Sequence, residues 1–449
     1  MHIHILGICG TFMGGLAQIA RSLGHKVTGS DQNVYPPMSD QLADLGIEIM
    51  NGYEPEHLVP RPDLVVVGNT LSRGNPALEC VLNQHIPYIS GPEWLYREVL
   101  KDKHVLAVSG THGKTTTTTI LAWILEFAGL NPGFLIGGVA ENFGLSARNT
   151  DSDYFVIEAD EYDTAFNDKR SKFIHYHPQT LIINNIEFDH ADIFHDIAAI
   201  RREFHHLLRI IPQQGKIIVP QDDLEVAEVI KMGCWTPTES FSGSKAEWTL
   251  TDFDNDYRHF SVLNKNVLAG KVSWSLIGEH NAENALAAII AAHNVGVSVE
   301  KACAALSEFK SVKRRLECIF NAKGIRVYDD FAHHPTAIAK TLKALRQYAG
   351  KGRLIAVMEP RSNTMRMGIH AKTLSNAFVD ADQVLLFQAD NVDWDIAAHM
   401  SDLGDRCRVF TDIEDIISLI SKEHQQGDHI VIMSNGGFGG LHKKLIDVL

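Results

Sequence analysis

A glycine-containing segment that ends in lysine and threonine carries the clearest chemistry in the sequence. Residues 109–116 read Ser-Gly-Thr-His-Gly-Lys-Thr-Thr, follow the apolar run Val105–Val108, and precede an apolar helical pattern over 120–125. In a strand–loop–helix of this kind, backbone N–H groups face a phosphate and the lysine reaches the terminal phosphates. Lys114 is therefore predicted to bind a nucleoside triphosphate, and Thr115 to place its hydroxyl on Mg²⁺. A strand–helix turn with a chance lysine is the less favoured alternative.

Two further apolar runs in this part of the chain end in charged residues. Phe155–Ile157 continues into Glu158 and an acidic segment that reaches Asp163, and Leu181–Ile183 continues toward His190. The carboxyl ends of parallel strands share one edge of a sheet, where ligands bind. Glu158 and His190 are therefore expected beside the phosphates, holding Mg²⁺ directly or through water, although imidazole is an unusual ligand for that ion. A solvated acidic loop and a structural histidine are the alternatives.

The N-terminal turn from Gly7 to Gly15 follows a strand pattern and opens a helix pattern. It lacks the GxGxxG spacing, and Asp31 ends the next predicted strand, where an acid would reach a ribose. A nucleotide diphosphate site and tight helix–strand packing explain these residues equally well.

Two later segments carry amide and imidazole groups. Gly278–Asn284 is predicted as a loop that opens an alanine-rich helix, and Asp329–Thr336 follows a strand pattern. Asn281 and Asn284 could contact an adenine edge, but asparagine is also a good helix cap. From these residues alone, capping is the favoured interpretation.

The elements that must position these segments alternate between short apolar runs and helical patterns. Such alternation predicts an α/β protein with parallel sheets and helices on their faces. A shorter and more polar pattern between Ala246 and Leu276 indicates an antiparallel addition. We expect three α/β units, divided near residues 102 and 312.

Composition excludes several other classes of protein. The 449 residues are 45% hydrophobic and 21% charged, which is typical of a globular chain. A net charge of −14 argues against a protein that binds nucleic acid or an anionic membrane through its overall electrostatic field. The six cysteines are scattered without a CxxC pair, which disfavours a disulfide framework or a structural zinc site. With neither a signal-peptide pattern nor an 18-residue apolar run, we expect a cytoplasmic protein.

Six motifs together stand in the order and spacing of the Mur ligases, and essentially the whole chain resembles that family. They are residues 109–116, the Glu158 segment, Asn185–His190, Gly278–Asn284, Arg315 and Asp330–Pro335. The resemblance implies an N-terminal Rossmann-like UDP-binding domain (1–102) and a central P-loop ATPase domain with a parallel sheet and a small antiparallel part (103–312). A C-terminal Rossmann-like domain (313–449) would bring in the amine substrate.

The resemblance also implies a role for individual residues. The UDP part would be held by Gly10, Thr11, Phe12, Met13, Asp31, Thr70 and Ser72. ATP would be bound by Gly110, Thr111, His112, Gly113, Lys114, Thr115, Thr116, Asn281, Asn284, Arg315, Asp330 and His333. Two Mg²⁺ ions would be held by Thr115, Glu158 and His190.

The implied activity is ATP-dependent, ADP-forming amide ligation in peptidoglycan recycling. UDP-N-acetylmuramate would supply the acid, and the murein tripeptide L-Ala-γ-D-Glu-meso-diaminopimelate the amine. Carboxylate and amine form a salt at neutral pH, so the acid must first become an acyl phosphate; Lys114 and Mg²⁺ would offset the repulsion between anions. His334 is a candidate acceptor for the amine proton.

The choice of amine rests on the segment after the third unit's Leu354–Met358 strand. Its residues Arg361, Ser362, Asn363 and Arg366 resemble the loop of peptide-adding members of the family. The planar guanidinium groups of two arginines can each bind a carboxylate through two hydrogen bonds. They therefore suit the tripeptide, which has several carboxylates, better than alanine, which has one. A surface arginine pair is the structural alternative.

Two functional alternatives are L-alanine as the amine, and an inactive nucleotide-binding regulator. The second is disfavoured because Lys114, Thr115, Glu158 and His190 are all present. Many relatives carry a carbamylated lysine where this chain has Phe204–His206, and the muramate–L-alanine branch also lacks it. The sequence does not indicate an oligomeric state.

Overall fold

The computed structural model describes residues 1–34 and 38–449, whose strands form three main sheets of five, ten and six members. Helices cover the faces of each sheet, which confirms the predicted α/β class. The sheets lie within residues 2–90, 104–273 and 317–433. The domain boundaries proposed from the sequence stay a prediction.

The first sheet is wholly parallel. Its strands are β1 (His2–Leu6), β2 (Lys26–Asp31), β3 (Glu48–Asn51), β4 (Leu64–Val67) and β5 (Tyr88–Ser90), in the order β3-β2-β1-β4-β5. Its helices are α1 (Thr11–Ser22), α2 (Met38–Asp44), α3 (Pro76–Asn83) and α4 (Gly91–Glu98). The turn between β1 and α1 therefore lies at the carboxyl edge of this sheet.

The second sheet is mixed. Its unit contains the strands β6 (His104–Ser109), β7 (Gly133–Ala140), β8 (Leu145–Arg148), β9 (Tyr154–Glu158), β10 (Asp163–Ala165), β11 (Asp168–Ser171), β12 (Thr180–Ile183), β13 (Lys216–Pro220), β14 (Thr238–Phe241), β15 (Trp248–Thr251), β16 (His259–Asn264) and β17 (Val267–Ser273). The order is β17-β16-β15-β14-β13-β12-β6-β9-β7-β8, and β10 and β11 form a separate hairpin. The helices are α5 (Lys114–Phe127), α6 (Ile197–Leu208), α7 (Leu224–Lys231), α8 (Glu279–Asn294) and α9 (Val299–Leu306). The predicted antiparallel addition is confirmed by β15–β17, which extend the same sheet.

The third sheet is parallel apart from one antiparallel edge strand. Its strands are β18 (Glu317–Ala322), β19 (Ile325–Asp330), β20 (Leu354–Met358), β21 (Gln383–Phe387), β22 (Cys407–Phe410) and β23 (His429–Met433), in the order β18-β19-β23-β20-β21-β22. Its helices are α10 (Pro335–Ala349), α11 (Asn363–Arg366), α12 (Ile396–His399), α13 (Ile413–Glu423) and α14 (Leu441–Val448).

Strand β6 shows why the central apolar runs are continuous. Val105 and Ala107 pack into one hydrophobic cluster, whereas Leu106 and Val108 pack into another on the opposite face. A parallel strand buried on both faces needs apolar residues at every position, because neither face meets water. β6 is thereby fixed at the centre of the sheet, with the phosphate-loop motif at its carboxyl end.

The predicted loop over Gly278–Asn284 is wrong in its extent, because α8 begins at Glu279. Gly278 has φ of +92°, a conformation that favours glycine and marks the start of the helix. Asn281 and Asn284 therefore lie within the first turns of a helix. Within residues 1–34 and 38–449, no helix combines the length and apolar character needed to cross a membrane.

Candidate active site

The segment predicted to bind phosphates is a tight turn between β6 and α5. Gly113 precedes the helix with φ of +81°, in the left-handed region. A Cβ at Gly113 would lie 2.6 Å from Asn284 Oδ1 and 2.8 Å from Asn184 Nδ2, closer than non-bonded atoms approach. Backbone conformation and space both require glycine here. The helix N-terminus is thus open to an anion.

Lys114 is the first residue of α5, and hydrogen-bond acceptors around its ammonium group hold the side chain in place. Nζ donates to Gly110 O at 2.7 Å and to Glu161 Oε2 at 3.0 Å, and lies 4.0 Å from Asp160 Oδ1. Burial alone would lower the pKa of Lys114, but Glu161, Asp160 and Glu158 outweigh it and raise that pKa. The side chain is therefore a positive charge fixed beside the loop.

Thr115 and Glu158 present oxygen atoms to the same place. Thr115 Oγ1 donates to Glu158 Oε1 at 3.0 Å, and Glu158 Oε2 accepts the N–H of Gly137 at 2.7 Å. Arg315 Nη2, from the start of the C-terminal unit, donates to Thr115 Oγ1 at 2.8 Å. Burial and Asp160 raise the pKa of Glu158. A hydroxyl and a carboxylate that already face a cationic group fit Mg²⁺, which prefers oxygen ligands.

His190 lies across the same space, in a left-handed backbone conformation with φ of +54°. Its Nε2 is 3.6 Å from Glu161 Oε1, the carboxylate that also accepts from Lys114. Burial would lower the pKa of His190, but the contacts with Glu161 and Asp189 raise it. The structure thus brings His190 to the phosphate loop, as the spacing predicted.

These residues line one cavity of about 740 Å³, here called the central cavity. Its lining includes Thr111, His112, Gly113, Lys114, Thr115, Glu158, His190, Arg315 and His333, together with Arg361, Ser362, Asn363 and Arg366. The predicted phosphate, metal and peptide residues therefore share a single space, although they come from two units of the chain.

A second space of about 380 Å³, the lateral cavity, lies on the other side of the loop. Its lining includes His112, Gly113, Thr116, Asn281, Asn284, Arg315 and Asp330. Asn281 Nδ2 donates to Ile277 O at 2.8 Å, so part of its amide is used within its own helix turn. Asp330 accepts the N–H groups of Leu316 and Ala332, at 2.7 and 2.8 Å. The predicted adenine-side residues meet here.

The predicted UDP residues surround a third space of about 390 Å³, the N-terminal cavity. Gly10, Thr11, Phe12, Met13, Asp31 and Thr70 line it, whereas Ser72 is not part of its lining. Asp31, at the end of β2, accepts the N–H of Cys9 at 2.8 Å and of Asn33 at 2.9 Å. The carboxylate therefore orders the turn as well as facing the cavity.

His334 is buried and is not among the residues that line the central cavity. Its Nδ1 accepts the N–H of Thr336 at 3.3 Å and so caps α10, and it is 3.5 Å from Glu187 Oε2. Burial and the neighbouring His112 and His370 lower the pKa of His334 to about 3. A group this weakly basic is poorly suited to accept a proton from an amine at neutral pH.

The described residues contain one histidine–carboxylate cluster with metal-ligand spacing. His112, Glu187 and His334 bring ligand atoms within 4.8 Å of one another. Two imidazoles make this cluster a poor match for Mg²⁺ compared with Thr115 and Glu158.

The residues predicted to hold the peptide lie after β20 and on α11. Ser362 Oγ accepts the N–H of Met365 and caps the short helix, while Asn363 Nδ2 donates to Asp192 Oδ2 of the central unit at 2.7 Å. A Cβ on Gly436 would lie 1.9 Å from Arg361 Nη1. The absence of a side chain at Gly436 therefore leaves the space that the Arg361 guanidinium occupies.

Family comparisons cover nearly all of this structure. Residues 2–102 match the Mur ligase family, catalytic domain; residues 108–292 match the Mur ligase middle domain; and residues 314–436 match the Mur ligase, glutamate ligase domain. The chain belongs to the Mur ligase family. Members of this family are ATP-dependent ligases that use Mg²⁺.

Two curated relatives span nearly the full chain of this Mur ligase. The UDP-N-acetylmuramate–L-alanyl-γ-D-glutamyl-meso-2,6-diaminoheptandioate ligase of Escherichia coli K12 is 54% identical over 450 residues, covering 100% of this chain and 98% of its own. The UDP-N-acetylmuramate–L-alanine ligase of Acetivibrio thermocellus is 33% identical over 448 residues, covering 97% and 93%. The crystal structure of a murein peptide ligase from Psychrobacter arcticus is 46% identical, with a TM-score of 0.77 over 100% of this chain and 98% of its own.

Several residues of this Mur ligase site were not identified from the sequence. Asp160 and Tyr162 line the central cavity, and Tyr162 and Lys172 line the N-terminal cavity. The acidic run after β9 contains the first two, so the same signal that selected Glu158 could have found them. Lys172 follows a largely polar hairpin and carried no such signal.

Proposed function

We propose that this Mur ligase joins UDP-N-acetylmuramate to the murein tripeptide L-Ala-γ-D-Glu-meso-diaminopimelate in the cytoplasm, with conversion of ATP to ADP and phosphate, as a step of peptidoglycan recycling. The observation that carries this proposal is the 54% identity, over the whole chain, to a ligase named for that reaction, against 33% to a ligase named for L-alanine. The arginine pair facing the central cavity supports the same choice.

In the first half-reaction, an oxygen of the muramate carboxylate attacks the γ-phosphorus of ATP. The P–O bond to ADP breaks, and an acyl phosphate forms. Lys114 and the N-terminus of α5 hold the phosphates in the central cavity, and the buried charges act more strongly there than in water. Thr115, Glu158 and His190 would hold Mg²⁺, as two ions, and the metal would neutralise phosphate charge there.

In the second half-reaction, the neutral amine of the tripeptide attacks the acyl carbon. The C–N bond forms, the C–O bond to phosphate breaks, and inorganic phosphate leaves with the electron pair. The amine also loses a proton, and its acceptor is left unassigned, because His334 is outside the cavity lining and its pKa is lowered.

The three cavities divide the substrates among them. UDP occupies the N-terminal cavity against Asp31 and the start of α1. The adenine lies in the lateral cavity near Asn281 and Asn284, and its phosphates lead toward Lys114. The tripeptide occupies the part of the central cavity that the C-terminal unit lines. The acid therefore meets ATP where the N-terminal and central cavities adjoin.

Arg361 and Arg366 favour the tripeptide as the amine substrate. Both guanidinium groups line the central cavity, and neither forms an ion pair with a carboxylate in the part of the chain that the structure describes. Planar guanidinium forks bind carboxylates through two parallel hydrogen bonds. The tripeptide offers several carboxylates, whereas free L-alanine offers one.

Phosphate release from ATP, measured with Mg²⁺ and UDP-N-acetylmuramate, tests this proposal directly. We expect release with the tripeptide and little with L-alanine, and R361L should lower kcat/KM for the tripeptide by about 10-fold or more, the value of one charged hydrogen-bond pair. R408L is the matched control, because Arg408 lies in the same unit but pairs with Glu423 at 3.1 Å on the surface. Release with L-alanine alone would contradict the tripeptide assignment, and the absence of release with either amine would favour a regulator.

A further inference from the structure

Lys172 is a buried lysine that the reaction scheme has not used. It follows β11 as the first residue of a short 3-10 turn, Lys172–His175, in the central unit. Its side chain is only 4% exposed, yet it lines the N-terminal cavity together with residues of the first unit. A central-unit residue therefore contributes to the space assigned to the sugar nucleotide.

The ammonium group of Lys172 has no hydrogen-bond acceptor within the described chain. Its nearest carboxylate oxygen, Asp160 Oδ2, is 3.9 Å away. The remaining close neighbours are aromatic faces, with Nζ 4.8 Å from the ring centre of Phe12 and 4.3 Å from that of Tyr162. Burial lowers the pKa of Lys172, and this effect outweighs the nearby carboxylate of Asp160, which would raise it. The three donors of this ammonium group are therefore free for an anionic ligand in the cavity.

Lys172 also stands at the junction of two cavities. Tyr162 lines both the N-terminal cavity and the central cavity. Asp160 is shared in the same way, because its two carboxylate oxygens lie 3.9 Å from Lys172 Nζ and 4.0 Å from Lys114 Nζ. One carboxylate thus separates Lys172 from the lysine that faces the ATP phosphates.

The electrostatics of this junction favour a cation that is free to bind substrate. Glu158, Asp160 and Glu161 are all buried at the edge that an anionic acid must approach. The ammonium of Lys114 already donates to Glu161 and to the backbone of Gly110. Among the residues that line the N-terminal cavity, Lys172 is the one lysine or arginine. It is therefore the cation that a carboxylate in that space would meet first on its way to ATP.

We propose that Lys172 binds the carboxylate of the muramate moiety and holds it at the junction, next to the γ-phosphate of ATP. This inference rests on the proposed function, since it takes UDP-N-acetylmuramate as the acid. Lys172 is then a substrate-positioning residue contributed to the sugar-nucleotide site by the central unit, and the aromatic faces of Phe12 and Tyr162 keep its ammonium aimed into the cavity.

Ligand binding by K172M, compared with the wild-type chain, tests the proposal. Calorimetric titration would use three probes: UDP-N-acetylmuramate, UDP-N-acetylglucosamine, which has the pyrophosphate but no carboxylate, and UDP. We expect K172M to weaken UDP-N-acetylmuramate by about 10- to 100-fold, the value of a hydrogen bond to a charged group, and to leave the other two probes within about twofold. K169M is the matched control, because Lys169 lies on the same hairpin but is exposed and pairs with Asp163 at 2.7 Å.

Three results would overturn the proposal. Equal weakening of all three probes would assign Lys172 to the pyrophosphate, and unchanged binding of UDP-N-acetylmuramate would remove it from the site. A K172M chain that fails to fold would make the ammonium part of the fold itself; we expect instead an unchanged or higher unfolding midpoint, since the substitution removes a buried charge without a hydrogen bond. Equal binding of UDP-N-acetylmuramate and UDP-N-acetylglucosamine by the wild-type protein would also contradict a carboxylate site at Lys172, whereas phosphate release with the tripeptide decides separately whether the proposed function holds.

Discussion

Two glycines at opposite ends of α5 allow backbone strain to be separated from crowding of the site. Gly113 precedes the helix with φ of +81°, and Gly129 follows it with φ of +83°. A Cβ at Gly129 would meet no atom within 4 Å, whereas one at Gly113 would lie 2.6 Å from Asn284 Oδ1. G129A therefore introduces left-handed strain alone, and G113A introduces the same strain together with a clash.

The size of both effects follows from this geometry. An L-residue in the left-handed region costs about 1–2 kcal/mol, which lowers an unfolding midpoint by roughly 2–8 °C for a unit of this size. At Gly113, the 2.6 Å contact must open by several tenths of an ångström, which moves Asn284 or the loop itself. Because a misplacement of about 1 Å can cost about 100-fold in rate, we expect kcat/KM for ATP to fall 10- to 100-fold in G113A only.

Thermal unfolding and coupled phosphate release, measured on both variants, check these expectations. Similar losses of stability with a loss of activity confined to G113A would confirm that Gly113 is required by the site. The reasoning is refuted if G113A keeps wild-type kcat/KM, or if G129A loses activity to the same degree.

Three further predictions concern charge and contacts between units. K114A should abolish ATP-dependent amide formation and leave the circular dichroism spectrum unchanged; retained turnover would refute the role of Lys114. Burial lowers the pKa of His4 to about 4, so between that pH and the ordinary value of about 6.5 the unfolded chain binds a proton that the folded chain does not. Stability should therefore be fully present above pH ~6.5 and fall by up to about 3 kcal/mol toward pH 4, with a flatter slope in H4N measured by denaturant titration. T364V removes the 2.9 Å hydrogen bond from Thr364 to Asp189; it should lower kcat/KM about 10-fold, whereas S401A, at an exposed serine of the same unit, should not.

The parts of the fold that the sequence predicted well are those that depend on a pattern of neighbouring residues, such as an apolar run or a glycine turn. The Leu64–Val67 and Leu354–Met358 runs coincide with β4 and β20, because strands buried on both faces leave an uninterrupted apolar signature. The phosphate loop was likewise predictable, since a strand, a glycine turn and a helix follow one another within a dozen residues. Polar or short strands such as β8 and β22 carry no comparable signature.

Residues that act across units were harder to predict. Lys172 and Tyr162 reach the N-terminal cavity from another unit, so nothing in their own sequence neighbourhood indicates that ligand space. Ser72 was placed in the UDP site by resemblance, but it is not among the residues that line the N-terminal cavity. His334 was a reasonable base by residue type, whereas its burial against His112 and Glu187 of the central unit appears only once the units are packed together.

The charge balance at the junction explains why such a site needs metal cations that are bound together with its substrates. Lys114, Lys172 and Arg315 lie beside the buried carboxylates of Glu158, Asp160 and Glu161, so three positive groups are close to three negative ones. These six groups together therefore supply almost no net charge to offset ATP and the acid. What the protein supplies is a fixed position for each cation. Lys114 donates to Glu161, Arg315 donates to Thr115, and Lys172 lies against the rings of Phe12 and Tyr162. The negative charge of ATP and the acid therefore has to be neutralised by Mg²⁺. This is a physical reason, based on the residues of this chain, for the use of Mg²⁺ in the family.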